Sequence, residues 1–194
     1  MGPVIILHHH EIILKGDNRK FFERQLLKNV RTAIGDVGGA CSVHGGYGRF
    51  IVSLENAGEI ESLVHRLSKV FGVANICAGE EVEPDLGVFC EVGERLLRGR
   101  SFKTVKVDTH RPDKNFPVKS MEINKAVGAH LCKTFGVRAD MTCPDETMFV
   151  ESADGRAYVY LSKVEGAKAS QSASAGGSSR YFRPGLILPS PPGN

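Results

Sequence analysis

A chain of 194 residues is long enough to bury a core and fits one or two small domains. Its net charge of +3, from 25 Lys and Arg against 22 Asp and Glu, excludes a uniformly basic protein, so any polyanion partner must be read from local clustering. Five cysteines (Cys41, Cys77, Cys90, Cys132, Cys143) include no C-x-x-C pair and read as reduced cytosolic thiols, while the apolar run at 3–7 is too short for a signal core or a membrane span. A cytoplasmic protein that engages no membrane is expected.

Taken in order, residues 4–7 form a continuous apolar run, the signature of a central strand. Asp17 or Asn18 can cap a helix with Phe22, Leu26, Leu27, Val30 and Ile34 on one face. Its other face carries Arg19, Lys20, Arg24, Lys28 and Arg31. Two strands are predicted at 41–44 and 49–54, joined around Gly45-Gly46-x-Gly48. A helix with Ile60, Leu63, Val64, Leu67 and Val70 buried spans 59–71 and ends at Gly72, and a strand returns over 73–83. The order β-α-β-β-α-β is that of a ferredoxin-like unit.

Asp85 opens a further helix to Leu97, within an acidic stretch of Glu80, Glu81, Glu83, Asp85, Glu91 and Glu94. An alternating strand then begins at Phe102 and breaks into the turn His110-Arg111-Pro112-Asp113-Lys114-Asn115-Phe116-Pro117. An amphipathic helix follows, with Ser120 as its expected N-cap and Glu122 in its first turn. Lys103, Lys106, Arg111, Lys114, Lys119 and Lys125 make this stretch far more basic than the chain as a whole. A basic strand-loop-helix with an aromatic in the loop suits a polyanion whose bases can stack, which points to RNA. Two further strands, 148–151 and 157–161, flank Asp154-Gly155, a strong hairpin signal. The fold class is α/β (α+β).

These residues carry a family resemblance. Phe102, Val105 and Val107, then Arg111-Pro112-x-Lys114-x-Phe116-Pro117, Ser120-Met121-Glu122-Ile123-Asn124 and Val127-Gly128 resemble a THUMP domain. They are most similar to the THUMP domain of the tRNA 4-thiouridine synthetase (tRNA sulfurtransferase) family. The opening His10-Glu11-Ile12-x-Leu14-Lys15-Gly16-x-Asn18-Arg19-x-x-Phe22-Glu23 resembles the start of the same enzymes. Pro144-Asp145, Val150-Glu151 and Ala157-Tyr158-Val159-Tyr160 extend the likeness, which covers roughly 4–166.

The resemblance implies a ferredoxin-like domain at 1–76 and a THUMP domain at 77–166. It implies tRNA as partner, with the THUMP domain on the acceptor end, the N-terminal unit orienting the body, and a tendency to homodimerise. Family chemistry, ATP- and Mg²⁺-dependent thiolation of a uridine, belongs to an ATP-pyrophosphatase domain expected to be absent from this chain. No catalytic residue, metal site or cofactor is therefore expected here, and the chain alone is not expected to be an enzyme. The alternative is a stand-alone THUMP module serving another tRNA-modifying enzyme.

The expected RNA-binding residues are Lys15, Arg19, Lys103, Lys106, His110, Arg111, Lys114, Lys119 and Lys125. A short charge run is most often a solvated turn; the Phe116-Pro117 and Ser120-Met121-Glu122 context favours RNA contact, with Phe116 as a core anchor. Lys15 and Arg19 stand at a helix N-terminus, where cations oppose the dipole and hint at an anionic ligand. Arg24, Lys28 and Arg31 read as plain surface. His8-His9-His10 stands where the family usually has Arg-Tyr at its first two positions, which weakens one phosphate contact. Three consecutive strand residues alternate faces and do not converge on one metal ion. Cys143 reads as a small buried residue, since no base accompanies it.

Residues 167–194, rich in Ser, Ala, Gly and Pro, read as disordered. Read in the frame starting at the third base of the Lys168 codon, they are compatible with the family's Gly-Leu-Pro-Val-Gly linker and a Ser-Ala-Gly-Ile-Asp-Ser phosphate loop. A frameshifted tail is the expectation that follows.

Overall fold

Val4, Ile5, Ile6 and Leu7 are all buried, and the strand that holds them, β1 (Gly2–His8), runs between two others. The computed structural model describes residues 2–9, 18–35, 37, 42–46, 48–111, 118–153 and 155–166. The predicted tail at 167–194, together with Lys15, Lys114 and Phe116, lies outside them. Two compact units emerge, one built on Gly2–Ala78 and the other on Gly79–Ser162.

The first unit follows the expected order: β1, α1 (Arg19–Ile34), β2 (Ser42–Gly46), β3 (Arg49–Ser53), α2 (Ile60–Leu67) and the start of β4 (Asn75–Val82). β3 pairs antiparallel with both β1 and β2, giving the order β2-β3-β1-β4. α1 buries Leu26, Val30 and Ile34, one residue per turn. Phe22, expected on that face, is 38% exposed. Asn18 makes no side-chain cap bond, because its φ of −81° and ψ of −3° already continue the helical turn, whereas a capping side chain needs an extended backbone.

The helix predicted over 59–71 is shorter than its apolar period. A 3₁₀ turn (Ala57–Glu59) leads into it, with Asn56 Oδ1 accepting from the Gly58 N–H. After Leu67 the backbone tightens, as Lys69 and Val70 donate three residues back to Arg66 and Leu67. Val70 stays buried through this turn, so the apolar period holds where the α-helical hydrogen bonding does not.

The second unit holds the rest of β4, α3 (Leu86–Leu97), β5 (Thr104–His110), α4 (Ser120–Phe135), β6 (Arg138–Ala139), β7 (Glu146–Ala153) and β8 (Arg156–Tyr160). Its strands lie in the order β4-β8-β7-β5-β6, with β5 parallel to β6 and β7. Phe89, Leu97, Val105, Val107, Ile123, Val127, Leu131, Met148 and Val150 form its core. Asp85 caps α3 as expected, its extended backbone letting Oδ1 accept from the Val88 N–H at 3.1 Å. The expected hairpin also forms: β7 and β8 pair up to Ala153 opposite Arg156, and Gly155 takes φ +76°, while Asp154 lies outside the described residues. A short strand β9 (Val164–Glu165) then returns the chain to β4, pairing with Asn75 and Ile76.

Two expectations fail in this unit. The N-cap of α4 is Lys119, with φ −72° and ψ 143°, and Ser120 is the first helical residue. Glu122 does occupy the first turn, where it complements the helix dipole. Cys143, expected to be buried, is exposed. The Asp140 carboxylate accepts from the N–H groups of Thr142 and Cys143 at 2.8 and 3.0 Å, an Asx-type turn that holds this loop at the surface.

The start of β5 depends on one carboxylate. Asp145 Oδ2 accepts from the Lys103 and Thr104 N–H groups at 2.8 and 3.0 Å, and its own N–H donates to Thr104 Oγ1 at 2.9 Å. The Lys103 N–H bond first, with Thr104 adding to it, holds the Asp145 carboxyl below its usual range. A depressed folded value means that this stabilisation is complete above the ordinary aspartate pKa of about 3.9 and is lost as pH falls through the lower folded value. Asp145→Asn should therefore lower the urea midpoint at pH 7, with the gap to the wild type closing on acidification below about pH 3.9. A gap that is constant from pH 7 to pH 2 would assign the effect to shape alone.

Candidate nucleic-acid interface

The β5–α4 segment places its cations at two ends. In β5, Val105 and Val107 turn inward to the core while Lys106, Asp108 and His110 take the other face. Lys103 precedes the strand, about 23 Å from His110 at the usual rise per residue. His110, Arg111, Lys119 and the first turns of α4 lie instead at the carboxyl end of β5. That end is where ligands of parallel α/β units tend to bind, because helix N-termini and connecting loops converge there.

The side chains differ in availability. Arg111 is half-buried, and its Nη1 donates to the Val118 carbonyl at 3.1 Å, drawing together the two described ends of the intervening loop. Lys106 Nζ lies 3.2 Å from Asp108 Oδ2, which offsets much of its charge. His110, Lys119 and Lys125 are exposed. Lys119 and Lys125 border an open, mostly apolar concavity floored by Met121, Glu122 and Ala126, and Met121 is 69% exposed. Glu122 is the sole carboxylate lining it among the described residues. Two ammonium groups around an exposed thioether and a helix N-terminus can contact phosphate and lean on a base or sugar.

Arg19, the remaining described candidate, belongs to the other unit, at the first turn of α1. Its Nε donates to Glu23 Oε1 at 2.8 Å, an i,i+4 pair on the half-buried side of the helix. Lys15 and Lys114 lie outside the described residues. The nine candidates thus fall along the chain into two groups, Lys15 with Arg19 and the seven from Lys103 to Lys125. The fold brings together His110, Arg111, Lys119 and Lys125, and sets Lys103 at the opposite end of the strand.

Glu80, Glu81 and Glu94 of the acidic stretch are engaged within their own unit. Glu80 pairs with Arg95, Glu81 with Arg156, and Glu94 Oε1 accepts from His130 Nε2 at 2.6 Å and Thr134 Oγ1 at 3.2 Å. The His130 hydrogen bond holds Glu94 below the usual carboxylate range. Burial, then the charges of Glu94, Asp85 and Glu91, push the Cys90 thiol up, so it is a protonated packing residue at neutral pH. No cluster of three or more His, Cys, Asp or Glu side chains suited to a metal occurs among the described residues. No helix among them is long and apolar enough to cross a membrane.

Comparison with known proteins matches both units. Residues 4–77 fit the family model of the ThiI ferredoxin-like domain, and residues 85–162 fit that of the THUMP domain. The chain is 36% identical over 167 residues to a probable tRNA sulfurtransferase of Thermoanaerobacter pseudethanolicus, covering 86% of this chain and 43% of that protein. A crystal structure from Pyrococcus horikoshii superposes with TM-score 0.76 at 26% identity, over 86% of this chain and 56% of the other. The crystal structure of a 4-thiouridine synthetase–RNA complex with bound ATP superposes with TM-score 0.71 at 27% identity, over 87% of this chain and 43% of that one.

The fold and the two matched models define a ferredoxin-like and THUMP protein. The resemblance carried by the segment from Arg111 to Asn124 agrees with the relatives found. The chain belongs to the tRNA sulfurtransferase family, of which it carries the ferredoxin-like and THUMP region. It spans less than half the length of the curated relatives it matches, at 43% of the first.

Proposed function

We propose that this chain is the tRNA-holding portion of a tRNA sulfurtransferase, with the carboxyl end of β5 and the start of α4 as its RNA contact. The observation that carries this reading is the exposed pair Lys119 and Lys125 around Met121, with His110 exposed at the end of β5, inside the region matched by the THUMP model. The 4-thiouridine synthetase of similar fold was crystallised with RNA, which supports the same ligand class. In this reading residues 1–76 form the ferredoxin-like domain, 77–166 the THUMP domain that takes the acceptor end, and 167–194 belong to neither. ATP and Mg²⁺ chemistry then falls to parts of the relatives that this chain does not match, and the chain alone binds without turning over substrate. A cytoplasmic setting without membrane contact fits a tRNA ligand, and homodimerisation is part of the same proposal.

The test is binding of unfractionated tRNA by fluorescence anisotropy across a salt series. Lys119→Gln combined with Lys125→Gln should weaken binding at least about tenfold near 0.1 M salt and reduce the log–log salt slope by roughly 0.7 to 0.9 for every phosphate no longer neutralised. An unchanged slope would place these side chains in solvent and remove the interface from α4.

A further inference from the structure

We infer that the outer face of α1 is a second RNA-contacting surface, on the ferredoxin-like unit, that takes a single-stranded or looped segment. The inference rests on the reading that the chain binds RNA and adds a site that the β5–α4 geometry does not predict. At about 100° per residue, Lys20, Phe21, Arg24, Lys28 and Arg31 fall within a stripe roughly 100° wide, opposite the buried Leu26, Val30 and Ile34. The stripe runs about 16 Å along the axis at 1.5 Å per residue.

Three features set this face apart from an ordinary solvated helix. First, α1 contains a single carboxylate, Glu23, and that group is already bonded to Arg19 on the inner side. Lys20, Arg24, Lys28 and Arg31 make no ion pair among the described residues, although Arg24 Nε donates to the Lys20 carbonyl at 3.2 Å. A surface helix kept for solubility usually interleaves both signs, since i,i+4 pairs of opposite charge stabilise it. Second, the first turn holds no acid and two cations, against the helix dipole, a local cost that a bound anion offsets.

Third, Phe21 stands in line with these cations and is 61% exposed, with Phe22 packed edge-on at 5.6 Å to fix its ring. At that exposure the ring adds little to the burial of the unit, and it stands beside four cations. It presents a flat face to a base while the cations follow the phosphates, which is how single-stranded nucleic acid is held without sequence readout.

The experiment measures anisotropy of two probes, unfractionated tRNA and a 12-nucleotide oligouridylate, on the full chain. Phe21→Ala changes no charge and lies at the surface, so folding is not at stake. It should weaken both probes about tenfold, with Phe21→Tyr restoring binding. The triple variant Arg24→Gln, Lys28→Gln, Arg31→Gln should lower the salt slope by roughly 0.7 to 0.9 for each phosphate that these cations neutralise, whereas Lys69→Gln, on an exposed turn, should not. Wild-type affinity in both stripe variants, with the Lys119 and Lys125 variant still impaired, overturns this inference alone and turns the stripe toward an acidic protein surface. No tRNA affinity in the wild type overturns both.

Discussion

Phe89→Ala should destabilise the THUMP unit by about 3–5 kcal/mol. Phe89 is fully buried on the inner face of α3, in one core with Val92, Leu97, Val105, Ile123, Leu131 and Met148. That core is a layer between two helices and a sheet, so the space left by the ring is walled by three elements that cannot all close on it. The helix itself is held at its start by the Asp85 cap and further along by Glu94 reaching His130 and Thr134 on α4. Such anchoring limits collapse into the cavity, which puts the cost toward the upper part of the range. For a domain of this size the loss is a large share of a total stability of about 5–15 kcal/mol. The thermal midpoint of the unit should fall by roughly 15 °C or more, at about 4–8 °C per kcal/mol. Phe102→Ala is the comparison: that ring is half-buried against Phe135 at 5.3 Å and should cost distinctly less. Equal, small shifts for the two would mean that α3 repacks freely and that the core is not the rigid layer described.

Much of this architecture is legible in the sequence because the physics involved is local. The apolar run at 4–7 fits an interior strand, and the 3.6-residue period of Leu26, Val30 and Ile34 fits a helix with one buried face. Asp85 and the Asp154-Gly155 pair announce a cap and a hairpin from their own backbone preferences. What fails depends on details a linear pattern does not carry. Lys119 and Ser120 both border the helix, and the choice between them rests on which residue has the extended backbone. Cys143 is small and apolar enough to suit a core, but the Asp140 turn places it outside.

The site is legible in kind and less so in extent. Lys103 and His110 are close in sequence, but a strand of seven residues carries them to opposite ends. Arg19 reads as an available cation along the chain, yet the glutamate that binds it sits four residues on, within reach of a simple helical-pair reading. Arg24, Lys28 and Arg31 read as plain surface in the sequence, and the proposed second surface rests on a feature that charge alone does not carry. Plotting α1 by angle brings the exposed Phe21 ring into line with those charges.

Gly79→Ala should destabilise the chain by about 3 kcal/mol, at the upper end for an overpacked site. Gly79 lies in β4 directly opposite Tyr160 of β8, and an added Cβ would stand 2.3 Å from the Val159 carbonyl oxygen and 2.8 Å from Tyr160 Cβ. The nearest obstacle is main chain, so no side-chain rotation relieves it. β8 in turn is fixed from its other side, pairing with β7 from Phe149 opposite Tyr160 to Ala153 opposite Arg156. The Tyr160 ring also stacks on Phe149 at 5.1 Å, and its hydroxyl donates to buried Glu151 at 3.1 Å. Moving β8 away would therefore strain a buried polar contact as well as a ladder. Gly99→Ala separates the two ways in which a glycine can be required. Its φ is +79°, but nothing lies within 4 Å of an added Cβ, so only the left-handed backbone matters and the cost should be about 1 kcal/mol. Unfolding free energies from denaturant titration should differ between the two variants by about 2 kcal/mol, with Gly79→Ala the less stable. Equal free energies would show that β4 and β8 can part without loss, and that the approach at Gly79 is not a constraint on the fold.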